Sequence, residues 1–425
     1  MASDGANMMV GKNNSFFSHL KKDCPNIVLM QCICHSAALV ASKATEKLPR
    51  SPEDLIRSVA TYISGSAKRT AILQEIQEFF GEQKKKILKL ADTRWLALHQ
   101  CVVRMLECWS SLSQYFLVAV TEDHLKSAEI ILESLNNNVV KAYFYFLKYS
   151  LNIFNSFNAM FQTNKIIIHE MYSNSIRLLK TILQNFINPK YLVTDIFDQA
   201  LFTDPNKFLP ESEVFVGSEC EEFIKAFPRN IFIDFKNTCL KFYIKAAEEI
   251  AERLPIHNLF FKEFKFLNPE TCFDPQKCNT TTNQLDKSKE IFGSYFDAYK
   301  VIEELREIPY FFTNEQIANL KKMNISEMWH EIGTVKDFTD DNFKFNNICK
   351  LAKIILTLPH SNAAAERIFS ILTDLKTKKR NRLADNTLNA VTIIRSSFQD
   401  KYLTTDSFVV TDKHLQLHNY NMYKT

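Results

Sequence analysis

Glycine is scarce in this chain, with 7 among 425 residues, and there are only 12 prolines. A chain so short of its two strongest punctuating residues has few tight turns, so long helices are the expected alternative. No run approaches the ~18 consecutive apolar residues that a membrane-spanning helix needs, so no membrane partner is expected. Met1-Ala2-Ser3-Asp4 has none of the basic-then-apolar character of a signal peptide. The ten cysteines are scattered rather than laid out as a framework, which suits a reducing compartment. No Gly-rich phosphate loop or nucleophile elbow is present. The net charge of +4 does not by itself demand a nucleic-acid partner, though local basic patches can still bind one.

What the chain does have is apolar bulk. Hydrophobic residues make up 46% and phenylalanine alone counts 35, enough for two or three globular domains with helix–helix interfaces filled by aromatic rings. Ser3-Asp4-Gly5-Ala6-Asn7 reads as a turn, followed by a helix through Phe16, Phe17 and Leu20. Ile27–Cys32 is a short apolar run opening with two β-branched residues, and it reads as a buried strand. Helical spacing then runs from Ala37 to Lys47, Pro52 to Ile63 and Ala67 to Phe80, with Ser51 as an N-cap. From about 115 to 340 the pattern is a helical block, clearest at Leu125–Leu135, Val139–Met160, Ile166–Phe186 and Phe235–Ala251. Pro189 to Pro210 and Pro269 to Thr282 read as loops, with Asp204-Pro205 and Asp274-Pro275 as turn signals. The segment from Asp400 onward reads as a frayed polar tail.

Leu358-Pro359-His360-Ser361-Asn362-Ala363-Ala364-Ala365-Glu366-Arg367-Ile368-Phe369-Ser370 is the stretch richest in implication. Pro359 ends what precedes it, and Ser361 or Asn362 can cap a new helix. Ala365, Ile368, Phe369, Leu372 and Leu375 then fall on one face, predicted to be buried. Glu366 lies just beyond that face. It is either a carboxylate reaching a cleft from an anchored helix or a solvated residue favoured by the helix dipole. Lys376 to Arg382, including Lys378, Lys379, Arg380 and Arg382, places five basic residues in a run of seven. It suits a solvated helix end, a phosphate contact or a nuclear import signal. Arg94-Trp95 joins a guanidinium that can fork onto phosphate to a ring that can stack on a base. Equally, Trp95 can be a core aromatic of a helix continuing through Leu98, Val102, Met105, Leu106 and Trp109. Lys84-Lys85-Lys86 is a phosphate-facing patch in the first case and a solvated turn in the second. Cys32, Cys34 and His35, with Cys24 upstream, lack the spacing of a structural zinc site, and packing at the end of the strand near Asp4 is expected.

The stretch Leu-Pro-His-Ser-Asn-Ala-Ala-Ala-Glu-Arg-Ile-Phe-Ser and the basic run after it resemble the C-terminal dimerisation region of hAT-superfamily transposases. Three further blocks resemble the family in order and rough spacing. They are Ser3-Asp4-Gly5-Ala6-Asn7, the Cys-x-x-His signature at Cys32 and His35, and Thr93-Arg94-Trp95. The resemblance implies that Glu366 is the last and Asp4 the second acidic residue of a DDE site. It also implies that Trp95 stacks on a flipped base and that Ile368, Phe369, Leu372 and Leu375 serve dimerisation. DDE chemistry needs three acidic residues around two Mg²⁺ ions. In the family, an earlier segment carries three strands, the first Asp and a zinc finger, whereas this chain begins at the second Asp.

The expected fold is therefore α+β and mostly helical: a truncated ribonuclease-H-like domain interrupted by a large all-helical insertion. Residues 1–114 form its first part and 115–340 the insertion. Residues 341–399 form the dimerisation region that completes the fold, and 400–425 the tail. The expected function is that of a domesticated or degenerate hAT transposase-derived protein, nuclear and self-associating, touching DNA and holding no resident cofactor. One alternative is a fragment of an active transposase, with Mg²⁺ on Asp4 and Glu366. The other is an interaction scaffold without DNA affinity. An unpaired edge on the Ile27–Cys32 strand is a second expected source of self-association.

Overall fold

The fold is known from a computed structural model that describes residues 1–425 apart from 26, 91–94, 164, 193–198, 283–284, 338–341, 378–379 and 418–425. It divides into two units, Met1–Ser361 and Asn362–Thr425. As the shortage of glycine and proline predicts, the chain is mostly helical.

In the first unit the helix Ile33–Thr45 is the central post. Its Ala37, Val40, Ala41 and Ala44 are all buried, and their small size lets the helices Arg229–Arg253 and Asn138–Phe161 close onto it. The helix Trp95–Glu107 packs on Asn138–Phe161, and Trp109–Asp123 packs on Lys126–Asn136. Phenylalanine fills these seams as expected. Phe146 meets Phe242 edge-on at 5.2 Å and Tyr243 at 5.5 Å, and Trp109 meets Phe144 at 5.1 Å. Such pairs contribute ~0.5–1.5 kcal/mol each beyond their area. Lys236 is one of the charged side chains sunk in this core, with Glu249 and Glu263. The Lys236 ammonium donates to the Val214 carbonyl at 2.6 Å and to both carboxylate oxygens of Glu221 at 2.6 and 2.9 Å.

Among the described residues the one sheet is a parallel pair, β1 (Ala2–Ser3) and β2 (Met30–Gln31). The predicted strand Ile27–Cys32 thus shortens to two residues. Ile27 is held in a turn by its N–H on the Cys24 carbonyl, and Cys32 already caps the helix that follows.

Several local expectations also shift. Arg50, not Ser51, is the N-cap, and Ser51 is the first helical residue. Pro269 to Thr282 is helical rather than looped. Asn268 and Asp274 accept backbone N–H groups two and three residues on and so start the helices Pro269–Cys272 and Pro275–Thr282. Within Pro189 to Pro210 short helices form at Pro189–Leu192 and Ala200–Thr203. The helix opened by Trp95 does not continue through Trp109 but breaks at Cys108.

In the second unit the helix Ala363–Leu375 packs on Asp385–Asp400. Ile371 and Leu375 are buried, Ile368 and Leu372 half-buried, and Phe369 and Ala365 exposed. This corrects the single buried face predicted for the stretch. Asn362 makes no side-chain capping bond. In the first unit, Ser361 donates its hydroxyl to the Phe161 carbonyl at 3.1 Å. The tail is not frayed throughout. Leu403 N–H bonds the Phe398 carbonyl, Phe408 stacks on Phe398 at 5.1 Å, and a helix forms at Asp412–Leu417.

Candidate functional site

Strand β1 delivers Asp4 at its C-terminal end. Gly5, at φ +87°, turns the chain away in a conformation that L side chains rarely adopt. Asp4 is exposed, and its Oδ1 accepts from the Ala6 N–H at 3.0 Å and the Ser3 hydroxyl at 3.3 Å. The Cys32 N–H bonds the Ser3 carbonyl at 2.7 Å, so β2 ends beside Asp4. Cys32 and Cys34 are buried there and His35 is half-buried, with the Cys34 thiol facing the Asn158 carbonyl at 3.9 Å. The packing reading of this signature therefore suits the geometry. Among the described residues no group of three His, Cys, Asp or Glu is placed to hold a metal ion.

Glu366 belongs to the other unit, exposed in the first turn of its helix. Among the apolar side chains left open on its two long helices are Phe369, 64% exposed, Ile393 at 60% and Ile394 at 55%, while Tyr402, Val409, Val410, Leu415 and Leu417 are open in the segment that follows. Ile393 and Ile394 escaped sequence reasoning, although an apolar pair at adjacent helix positions cannot both face one neighbour. Arg380 and Arg382 are exposed; Lys378 and Lys379 lie outside the described residues.

Arg94 also lies outside the described residues, while Trp95 opens the helix Trp95–Glu107. That helix buries Leu98, Val102 and Met105, the face read from the sequence. Upstream lies an arrangement the sequence reading missed. The helix Ala67–Phe79 ends at Phe80 in a Schellman-type turn. Glu82 N–H bonds the Gln77 carbonyl at 2.8 Å and Gly81 N–H bonds Glu78 at 3.0 Å, with Gly81 at φ +69°. Gln77 is fully buried, and its side-chain amide clasps the extended chain beyond the turn. Gln77 Oε1 accepts from Lys85 N–H at 3.1 Å and Gln77 Nε2 donates to the Lys85 carbonyl at 3.1 Å. Arg104 bonds the Lys86 carbonyl. Lys84 pairs with Glu78 at 2.8 Å and Lys85 with Glu107 at 3.0 Å. Lys86 and Lys89 are exposed, with no ion pair among the described residues.

Residues 306–398 match the family model of the hAT family C-terminal dimerisation region. The chain carries that region, and the match supports its standing as an hAT-family transposase-derived protein. No helix among the described residues is long and apolar enough to cross a membrane.

Proposed function

We propose that this protein acts by self-association through its C-terminal region and by contact with DNA, without carrying out strand transfer itself. The observation that carries the reading is the hAT dimerisation match over helices that leave Phe369, Ile393 and Ile394 open. Sedimentation velocity over a range of concentrations tests it: a concentration-dependent dimer is expected, and a monomer well above micromolar refutes it.

DNA contact is assigned to Arg94, Trp95 and the basic run Lys376 to Arg382, which also serves as a nuclear import signal in this reading. Binding is then salt-sensitive and weakened by Trp95→Ala. The division into an interrupted ribonuclease-H-like domain is part of the same proposal, supported by the parallel β1–β2 pair with Asp4 at its end.

Asp4 Oδ1 is already engaged by the Ala6 N–H and the Ser3 hydroxyl, which supports a reading without a resident Mg²⁺ ion. No turnover of nicked or hairpin DNA is expected with Mg²⁺ or Mn²⁺. Turnover abolished by Glu366→Gln would overturn this part.

A further inference from the structure

We infer that Phe79 and Phe80, with the lysine segment that follows them, form a stacking platform for an unpaired stretch of DNA. This rests on the proposed DNA contact and extends it from the Lys84-Lys85-Lys86 run, already read as a candidate phosphate patch, to Phe79, Phe80 and Lys89. Phe79 is 86% exposed and Phe80 44%, an unusual position for two adjacent large apolar rings. They meet edge-on at 5.7 Å and 88°, so Phe80 braces the edge of its neighbour while Phe79 keeps open surface for a base.

The lysine strand is built, not incidental. Gln77 lies three residues before Phe80, roughly 4.5 Å along the helix axis. Its amide, bonded to both backbone groups of Lys85, holds that segment against the end of the helix, and Lys84 reaches Glu78, the chain neighbour of Phe79. The strand's backbone is held while Lys86 and Lys89 reach solvent. Lys84 and Lys85 are partly neutralised by Glu78 and Glu107, which leaves Lys86 and Lys89 as the phosphate contacts. Exposed rings beside exposed lysines are the two components of sequence-tolerant single-strand recognition. A duplex keeps its base faces stacked internally and cannot use the rings. An apolar protein partner would use the rings but not the lysines, so the charge decides the occupant.

The test is anisotropy of a labelled single strand, and of its duplex, against the full chain at several salt concentrations. Wild type is expected to prefer the single strand. Phe79→Ala is expected to weaken single-strand binding by about 5-fold to about 150-fold, the range for one stacked base, and to leave duplex binding unchanged. Lys86→Glu with Lys89→Glu is expected to flatten the salt slope by about 1.4, two contacts at ~0.7 each on a single strand. Ultraviolet crosslinking of an iodouracil strand to wild type is expected on the Phe79–Phe80 peptide, and this needs no variant to fold. Absence of any wild-type binding at low salt overturns the DNA contact and the platform together. Binding that depends on Trp95 but not on Phe79, with no crosslink on that peptide, overturns the platform alone. A change in sedimentation on Phe79→Ala without a change in DNA affinity overturns it in favour of a protein partner.

Discussion

Replacing Phe369 by alanine isolates the contribution of one open side chain to self-association. Phe369 keeps 64% of its surface in the single chain. Fully burying a phenylalanine is worth ~1.5–3 kcal/mol, so covering the open part contributes ~1–2 kcal/mol. In a two-fold dimer the same patch is used on both copies, which doubles the figure to ~2–4 kcal/mol. At ~1.4 kcal/mol per tenfold, Phe369→Ala weakens the dimer by about 30-fold to about 800-fold. Phe369→Asp goes further, because a carboxylate would have to be desolvated at the same spot. Neither change removes a buried contact, so thermal stability of the isolated chain moves by less than ~0.5 kcal/mol. Sedimentation across the dissociation range reads the first effect and a melt reads the second. A dimer of unchanged strength in Phe369→Asp, with the fold intact, would refute the assignment of this side chain. Buried Leu375 is the contrast: Leu375→Ala should cost ~2–5 kcal/mol of stability, and any loss of dimer would then follow from unfolding.

Two further outcomes concern the first unit. Lys236→Met leaves Glu221 half-stripped of its partner and should cost ~3–5 kcal/mol by chemical denaturation. Adding Glu221→Leu should restore much of the loss, and a single variant as stable as wild type would sink the argument. His169 is buried and its Nδ1 has no hydrogen-bond partner among the described residues; burial holds its pKa below the ordinary value, and Glu170, 3.7 Å away, opposes this only in part. The neutral ring's contribution is therefore fully present above the ordinary histidine pKa of ~6.5 and is lost as pH falls through and below it. Denaturation midpoints of wild type relative to His169→Phe should converge or cross as pH drops from about 8 to about 5. Parallel curves would show that His169 does not titrate differently on folding.

The helices were legible because their signals are local. Ala67 to Phe80 was read to within a residue from its apolar spacing, and the structure adds Ser66 as its N-cap, accepting from Arg69 N–H. The strand at Ile27–Cys32 was legible in place but not in extent or partner, because a two-residue β-pair depends on Ala2–Ser3 arriving alongside Met30–Gln31, and no local pattern encodes that. Gln77 was missed for the same reason. A glutamine in a polar helix looks solvated until the chain folds back through Gly81 and lays Lys85 against it. The motif residues Asp4, Cys32, His35, Trp95 and Glu366 were found through resemblance to a family, and their chemistry would not have been argued from spacing alone.

The Ala363–Leu375 helix separates what a periodic pattern can give from what it cannot. Taken at about 100° per residue, six of its apolar residues, those beyond the first two alanines, fall in the angular order Ile371, Leu375, Ile368, Leu372, Ala365, Phe369. Together they span about 160°, wider than the roughly 100° stripe that a single packed face needs. Burial follows that order: Ile371 and Leu375 are covered, Ile368 and Leu372 are half-covered, and Ala365 and Phe369 are open. The neighbouring helix Asp385–Asp400 therefore covers the stripe from one edge rather than its centre. The width was readable in advance and already implied more apolar surface than one neighbour hides. Which edge would stay open was not readable, because it depends on how the second helix is laid down. The uncovered edge is the one that carries Phe369, and Thr373 and then Glu366 follow around the helix. A second copy seated on that edge would cover the phenylalanine and crowd the carboxylate, so Glu366→Gln should strengthen the dimer slightly. A weaker dimer in that variant would mean that Glu366 is itself a contact rather than a neighbour.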